Sequence, residues 1–167
     1  MIRLIIIALW IASFSVECTQ PSKKAVVQRV IDGDTFVTNT GEVIRLANLD
    51  AAEIAQVFGY ESKMFLQRCI LNTQILLRYV TTDTYERKVC NVYLNSGLWI
   101  NKLVVDSGYA WAYKRYSVLY EAQIKARRKH IGLWKQEAIP PFIFRRQLLT
   151  IGRHEVAIQT KPLPTWK

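Results

Sequence analysis

The sequence has few of the residues that define several special classes of protein. It contains seven glycines and five prolines among 167 residues, with no triplet period, so it is not collagen-like. Half of its residues are apolar and 22% are charged, which excludes the composition of a disordered chain. Its three cysteines form no Cys-x-x-Cys motif and its two histidines lie far from them, so no zinc site is predicted.

Acidic residues are also scarce. The chain has 13 Asp and Glu against 23 Lys and Arg, which gives a formal net charge of +10. A basic surface attracts polyanions such as nucleic acid or anionic lipid, so the charge predicts a class of partner without fixing a fold. At this length we expect one domain with short appendages, because single domains cluster at about 100–150 residues.

Long hydrophobic runs are missing as well. The longest, residues 4–12, is too short to cross a bilayer, which takes about 20 apolar residues. It follows Arg3 and precedes small residues, so residues 1–18 are predicted to be a secretory signal, cleaved after Ser15 or Cys18, and the chain to be periplasmic or secreted. Lipidation of Cys18, an uncleaved anchor and a buried hydrophobic strand are the alternatives, and only the first two predict attachment to a membrane.

Two cysteines remain beyond this segment, Cys69 and Cys90. A disulfide between them could persist in an oxidising compartment. The other interpretation is that both are small buried side chains, and the sequence does not favour one over the other.

The pattern of apolar residues predicts an α+β domain over residues 23–134. Short Val- and Ile-rich or alternating segments predict strands at 25–31, 35–38, 42–46, 75–80 and 88–94. Apolar residues at helical spacing predict helices at 58–72, 99–107 and 119–130. Five short strands and three helices in this order predict one small, closed sheet.

Residues 135–167 differ in composition from the domain. They hold four of the five prolines and a charge of +4, from six Lys and Arg minus two Glu. We predict a basic tail with little regular structure and one short strand at 155–159. It is expected to be solvated; the alternatives are packing on the domain through residues 142–144 or contact with a phosphate backbone through Arg145 and Arg146.

Charged residues in unusual places indicate a functional site. Asp34 and Arg45 lie within the otherwise apolar stretches 26–36 and 43–47, where an ionised side chain is costly unless it is paired or hydrated. Hard carboxylate oxygens suit calcium or magnesium, and arginines present planar forks to phosphate oxygens. Together with Asp50, Glu53 and Arg87, these residue types suit phosphoryl transfer assisted by a divalent cation.

The order and spacing of several short motifs resemble the staphylococcal nuclease-like, or thermonuclease, family. The motifs are Val30-Ile31-Asp32-Gly33-Asp34-Thr35-Phe36, Ile44-Arg45-Leu46, Asp50-Ala51-Ala52-Glu53, Phe58-Gly59, Asp83-Thr84-Tyr85-Glu86-Arg87, Gly108-Tyr109-Ala110-Trp111 and Gly132-Leu133-Trp134. The resemblance implies an OB-fold-type five-stranded β-barrel with three α-helices. It also implies a calcium-dependent nuclease that hydrolyses phosphodiester bonds in DNA and RNA with little sequence specificity.

The same resemblance implies roles for individual residues. The implied calcium ligands are Asp34, Asp50 and the backbone carbonyl of Ala51. The implied catalytic residues are Arg45, Glu53 and Arg87, with the arginines stabilising the transition state and Glu53 acting on the attacking water. Tyr85 and Tyr113 match positions at which the family contacts the nucleotide.

The sequence departs from the family pattern at three positions near these residues. Ala52 stands where a proline usually precedes the glutamate, which predicts a looser turn at Glu53. Glu86 stands where glycine is common, and its carboxylate is expected either to pair with Arg87 or to repel substrate. Thr84 replaces a basic residue and removes one predicted phosphate contact.

A second function from another class fits part of the pattern, namely a catalytically silent OB-fold module that binds nucleic acid. The charge supports it, as do the aromatic residues interleaved with Lys114 and Arg115, which are Tyr109, Trp111, Tyr113 and Tyr116. The presence of all five charged site residues favours the enzyme, because a binding module does not need them. No obligate protein partner is predicted, and we expect a monomer.

Overall fold

The structure is a computed structural model that describes residues 22–113 and 118–159, the last eight of these by their backbone alone. The predicted signal at 1–18 therefore lies outside the described residues. The strands are β1 (Ser22–Val30), β2 (Thr35–Thr38), β3 (Val43–Leu46), β4 (Leu49–Ala51), β5 (Gln74–Thr82), β6 (Lys88–Leu94) and β7 (Ala110–Ala112). The helices are α1 (Gly59–Ile70), α2 (Ile100–Asp106), α3 (Tyr120–Arg128) and α4 (Pro141–Gln159), with a 3₁₀ turn at Gly132–Lys135.

Five strands close into a barrel in the order β1-β2-β3-β6-β5, which confirms the predicted closed sheet. Neighbours are antiparallel except β3 and β6, which run parallel with Ile44 opposite Lys88. β4 and β7 form a separate two-stranded sheet. Inward-facing side chains such as Val27, Phe36 and Ile75 are completely buried, because alternate residues of a strand face the same side.

Helices α1, α2 and α3 cover the barrel and agree with the three predicted helices to within a few residues. Leu66 of α1, Val104 of α2 and Ala122 of α3 all join the same buried cluster as the strand residues. One core therefore supports all the loops that carry the charged residues.

The prediction of an irregular tail with a strand at 155–159 was wrong, because residues 141–159 form α4. Proline is well tolerated in the first turn of a helix, and Pro141 occupies the first helical position. The main-chain N–H groups of Ile143 and Phe144 both donate to the carbonyl of Pro140. Pro140 and Pro141 thus lie at the start of the helix rather than within it, and Pro162 and Pro164 lie outside the described residues.

Two glycines from the family motifs touch each other across the fold. Gly108 and Gly132 have positive φ values of 75° and 58°, and a Cβ at Gly132 would lie 2.2 Å from the carbonyl oxygen of Gly108. Leu133 donates a main-chain hydrogen bond to that oxygen. Only glycine permits this approach, which brings Trp111 and Trp134 into edge-to-face contact at 5.6 Å.

Both described cysteines are free thiols, so the structure supports the interpretation without a disulfide. Burial raises the pKa of the Cys90 thiol to about 11. Among the described residues, no helix has the length and apolar character that crossing a bilayer requires.

Candidate nuclease site

Two buried carboxylates form the floor of the site. Asp34 precedes β2 and is 5% exposed, and Asp50 lies in β4 and is 4% exposed. Asp34 accepts the Thr35 hydroxyl at 2.8 Å and the main-chain N–H of Ala51 at 2.9 Å. The Ala51 backbone therefore lies directly beside Asp34, which joins the loop before β2 to strand β4.

Arg45 bridges these carboxylates from strand β3. Its Nη2 atom lies 2.9 Å from Asp50 Oδ1 and 3.4 Å from Asp34 Oδ2. Its Nη1 atom donates to the carbonyls of Leu49, at 3.0 Å, and Leu46, at 3.3 Å. The side chain is only 16% exposed, so Arg45 is held on several sides by the fold.

Arg87 reaches the same cluster from the start of β6. Its Nη1 atom donates to the Thr35 hydroxyl at 3.4 Å, and that hydroxyl in turn donates to Asp34. Its Nε atom donates to Asp83 at 2.8 Å. Thr35 thus connects the second arginine to the carboxylates, a role that its position in the sequence did not reveal.

The pairing of Arg87 contradicts the expectation that Glu86 pairs with it. The carboxylate bound to Arg87 is that of Asp83, which also accepts the main-chain N–H groups of Tyr85 and Arg87. Glu86 is exposed and has a φ of 62°. The left-handed backbone at this position explains why glycine suits it.

Glu53 lies on a loop that Gln56 holds in place. Gln56 accepts the main-chain N–H of Glu53 at 2.9 Å and donates its own main-chain N–H to the Glu53 carbonyl at 2.8 Å. A Cβ at Gly59 would lie 1.9 Å from that carbonyl, so only glycine fits there. Ala52 is buried and packs with Trp111. These contacts fix the loop although the proline is absent.

A third arginine, which the sequence did not place in the site, comes from α4. Arg145 Nη2 lies 2.9 Å from Asp50 Oδ2, and Nη1 lies 2.5 Å from Glu53 Oε1. These hydrogen bonds raise the pKa of Arg145 above its usual range. A contact with two residues more than ninety positions away has no signature in local sequence, which offered for Arg145 only the alternative of a contact with a phosphate backbone.

Crowding of acidic groups sets the electrostatics of the site. Burial, and secondarily the nearby Asp34 carboxylate, raise the pKa of Asp32 to about 6. Burial also raises the pKa of Asp50, an effect that the hydrogen bond from Arg145 opposes and the charge of Asp34 increases. Buried carboxylates this close together need a cation beside them.

The donor set fits a hard divalent cation in type. Asp34 and Asp50 supply buried carboxylate oxygens, and the Ala51 main chain lies beside Asp34. Calcium accepts such oxygens together with backbone carbonyls and water. Within the described ranges, no three His, Cys, Asp or Glu residues are grouped as metal ligands, so carbonyls and water would have to complete the coordination.

The two predicted substrate tyrosines lie at the rim. Tyr85 is 78% exposed and the Arg87 guanidinium carbon lies 5.3 Å from its ring centroid. Tyr113 is 60% exposed and its main-chain N–H donates to Asn48 beside β4. Both rings are therefore accessible to a ligand.

The other described aromatic residues of the interleaved series, Tyr109 and Trp111, are packed inside the fold. Tyr109 stacks on Phe65 at 4.3 Å, and Trp111 is only 8% exposed. These two support the core rather than a stacking surface. Tyr116, Lys114 and Arg115 lie outside the described residues.

Comparison with known proteins agrees with this arrangement. The family described as staphylococcal nuclease homologues matches residues 43–136, more than half of the chain. The chain belongs to the staphylococcal nuclease family. The matched segment contains Arg45, Asp50, Glu53 and Arg87, whereas α4 with Arg145 follows it.

Individual members of the staphylococcal nuclease family match most of the chain. A protein of Escherichia coli O157:H7 named an uncharacterized endonuclease is 33% identical over 148 residues, covering 84% of this chain and 95% of its own length. A Haemophilus influenzae protein of the same name is 36% identical over 138 residues, with 78% and 77% covered. A protein named micrococcal nuclease from Shigella flexneri is 31% identical over 137 residues, with 72% and 79% covered.

Proposed function

We propose that the chain is an exported, calcium-dependent endonuclease that hydrolyses phosphodiester bonds of DNA and RNA with little sequence specificity. Membership of the staphylococcal nuclease family supports hydrolysis of nucleic acid. The observation that carries the proposal is the convergence of Arg45, from β3, and Arg87, from the residue before β6, on the buried Asp34–Asp50 pair, Arg87 through the Thr35 hydroxyl.

The two arginines suit the stabilisation of a pentavalent phosphorus centre. Negative charge accumulates on the phosphate oxygens as water adds to phosphorus, and guanidinium groups form paired hydrogen bonds to such oxygens. Arg45 is fixed by two main-chain carbonyls and Arg87 by Asp83. Their orientation is thus set before substrate binds, which is the condition for strong electrostatic stabilisation.

Glu53 is placed to orient or deprotonate the attacking water. Its side chain is 38% exposed, so water reaches it, and Gln56 holds its backbone. Asp34, Asp50 and the Ala51 carbonyl would hold the calcium ion. When bound, calcium supplies a hard positive charge that offsets the repulsion between these carboxylates and a phosphate.

Digestion of plasmid DNA and of RNA by the purified protein tests the proposal. We expect Arg45→Ala and Arg87→Ala each to lower turnover by at least about 10²-fold, the cost of one lost transition-state donor. Arg29→Ala is the matched control, since Arg29 is exposed on β1 and forms no ion pair with a described residue. Unchanged turnover in both site variants would contradict the assignment.

A chelator tests the calcium dependence separately from the roles of the protein residues. We expect excess chelator to abolish cleavage and added calcium to restore it. Full activity with chelator would refute the calcium dependence. Binding of nucleic acid without cleavage, with and without calcium, would instead identify a silent binding module.

Export and the monomeric state complete the proposal. The apolar run at residues 4–12 supports export. Cell fractionation and light scattering of the purified protein test these two points.

A further inference from the structure

The guanidinium of Arg145 lies across the two acidic residues that the proposed reaction needs most. Both terminal nitrogens contact Asp50, the proposed calcium ligand, and one of them also contacts Glu53, the proposed base. The contact at Glu53 is 2.5 Å and the nearest contact at Asp50 is 2.9 Å. One side chain from α4 thus neutralises both groups at once.

Both oxygens of Asp50 are occupied in this arrangement. Arg45 lies 2.9 Å from Oδ1 and Arg145 lies 2.9 Å from Oδ2. A cation that binds Asp50 is repelled by both guanidinium groups at such short distances, so it competes with them for the carboxylate. The question is which arginine can leave.

Arg45 and Arg145 differ in how firmly the fold holds them. The Arg45 side chain is 16% exposed and donates to two carbonyls. The Arg145 side chain is 43% exposed, and its described partners are only the two carboxylates. Arg145 is therefore the partner that can be displaced without breaking the barrel.

The helix that carries Arg145 is lightly attached to the domain. Pro141 is buried and the Gln56 side chain donates to the Ile139 carbonyl at 2.8 Å, but Phe142, Leu148 and Leu149 are more than half exposed. Little buried apolar surface becomes exposed to water when such a helix moves away, so undocking costs little free energy.

We propose that Arg145 is a tethered cation that competes with calcium for Asp50, so that α4 inhibits the site until calcium binds. The inference rests on the proposed function. Because coupling between two binding events is reciprocal, Arg145 weakens calcium binding by the same factor by which calcium weakens docking of α4.

Calorimetric titration of the full chain with calcium alone, in the absence of nucleic acid, tests the competition. We expect Arg145→Ala and Arg145→Gln each to bind calcium at least about fivefold more tightly than the parent, the lower end of typical coupling between sites. Arg146→Gln is the control. It removes the same charge from the neighbouring position on α4, and Arg146 forms no ion pair with the described residues.

Two outcomes contradict the competition, and only one of them also contradicts the proposed calcium dependence. If the Arg145 variants bind calcium no more tightly than Arg146→Gln, the competition is refuted and the proposed nuclease function stands. If no variant and no parent protein binds calcium, both the competition and the proposed calcium dependence fail.

Hydrogen exchange of residues 141–151 gives a second readout that does not depend on activity. Calcium should speed exchange in the parent protein, because most of the stability of a helix comes from tertiary packing, which α4 loses when it undocks. In Arg145→Ala the exchange should already be fast without calcium. If the parent binds calcium by calorimetry and its exchange rates are nevertheless the same with and without calcium, the proposal is overturned.

Discussion

Glu86 occupies a backbone conformation that its side chain disfavours. Its φ of 62° falls in the left-handed region, which costs a residue with a Cβ about 1–2 kcal/mol. The turn is nevertheless formed, because Asp83 accepts two main-chain N–H groups within it and binds the Arg87 side chain.

Replacing this residue by glycine should stabilise the protein. We expect Glu86→Gly to raise the free energy of unfolding by about 1 kcal/mol, because relief of the backbone strain exceeds the added flexibility of the unfolded chain. Urea denaturation measures the change. Glu86→Ala is the matched control, since alanine keeps the Cβ and should bring no comparable gain. Equal stabilisation by alanine would show that the carboxylate, not the backbone, is responsible.

Single residues also show which parts of the site could be predicted from the sequence and which could not. Asp34 and Arg45 were recognisable because charge inside an otherwise apolar segment is costly unless it is paired or hydrated, and the structure brings them within 3.4 Å. Arg145 was not placed in the site because its partners are distant in the chain. Thr35 was missed because its hydroxyl is buried between two charged groups, which local pattern does not show.

Among the elements, β1, β3 and β6 are joined at the barrel surface by one acidic residue. Glu42, just before β3, forms an ion pair with Lys23 of β1 at 2.6 Å and another with Lys88 of β6. Hydrogen bonds from Lys23 and then Lys88 lower the pKa of Glu42 to about 2. The ionised carboxylate therefore stabilises the folded state above the ordinary pKa of 4.5.

This stabilisation should disappear in acid. We expect the parent protein to exceed Glu42→Gln in stability by about 1 kcal/mol at neutral pH, a modest value because the lysines are about half exposed. The difference should shrink as the pH falls from 4.5 towards 2, because the carboxylate then becomes protonated in the folded protein as well. Urea titrations at several pH values measure it. A constant difference would contradict the ion pairs, and Glu137→Gln, at an exposed glutamate, is the control.

The elements themselves were largely predictable, for physical reasons that differ from one to another. The barrel strands and α1 to α3 have clear hydrophobic periods because each buries one face. β4 and β7 have only three residues each, too few to show a period. α4 was missed because its prolines suggested an irregular tail and its apolar residues are mostly exposed, so the pattern lacked a core-facing side.

Over the whole molecule, the charge of +10 is much larger than the site can account for. Arg45, Arg87 and Arg145 are matched by neighbouring carboxylates. The excess positive charge is carried by exposed basic residues. Several of them lie in α3 or directly after it, namely Lys125, Arg127, Arg128 and Lys129. This surface suits the attraction of a polyanion rather than its cleavage.

Salt dependence should reveal this surface. We expect the affinity for duplex DNA, measured in chelator, to fall steeply with salt, and the double variant Lys125→Gln, Arg128→Gln to reduce the logarithmic slope by up to about 2. Lys102→Gln is the control, because Lys102 already pairs with Asp106. If the double variant and the control have equal slopes, α3 does not face the nucleic acid.

The parallel pairing of β3 and β6 also determines at which stage of folding the site is assembled. Ile44 and Lys88 meet only after the intervening chain has folded, and the entropy of closing such a loop makes distant pairings late events in folding. Arg45 lies on one side of this seam and Arg87 on the other. A chain whose barrel is still open therefore has no assembled pair of arginines, so the two guanidinium groups meet only in the closed barrel.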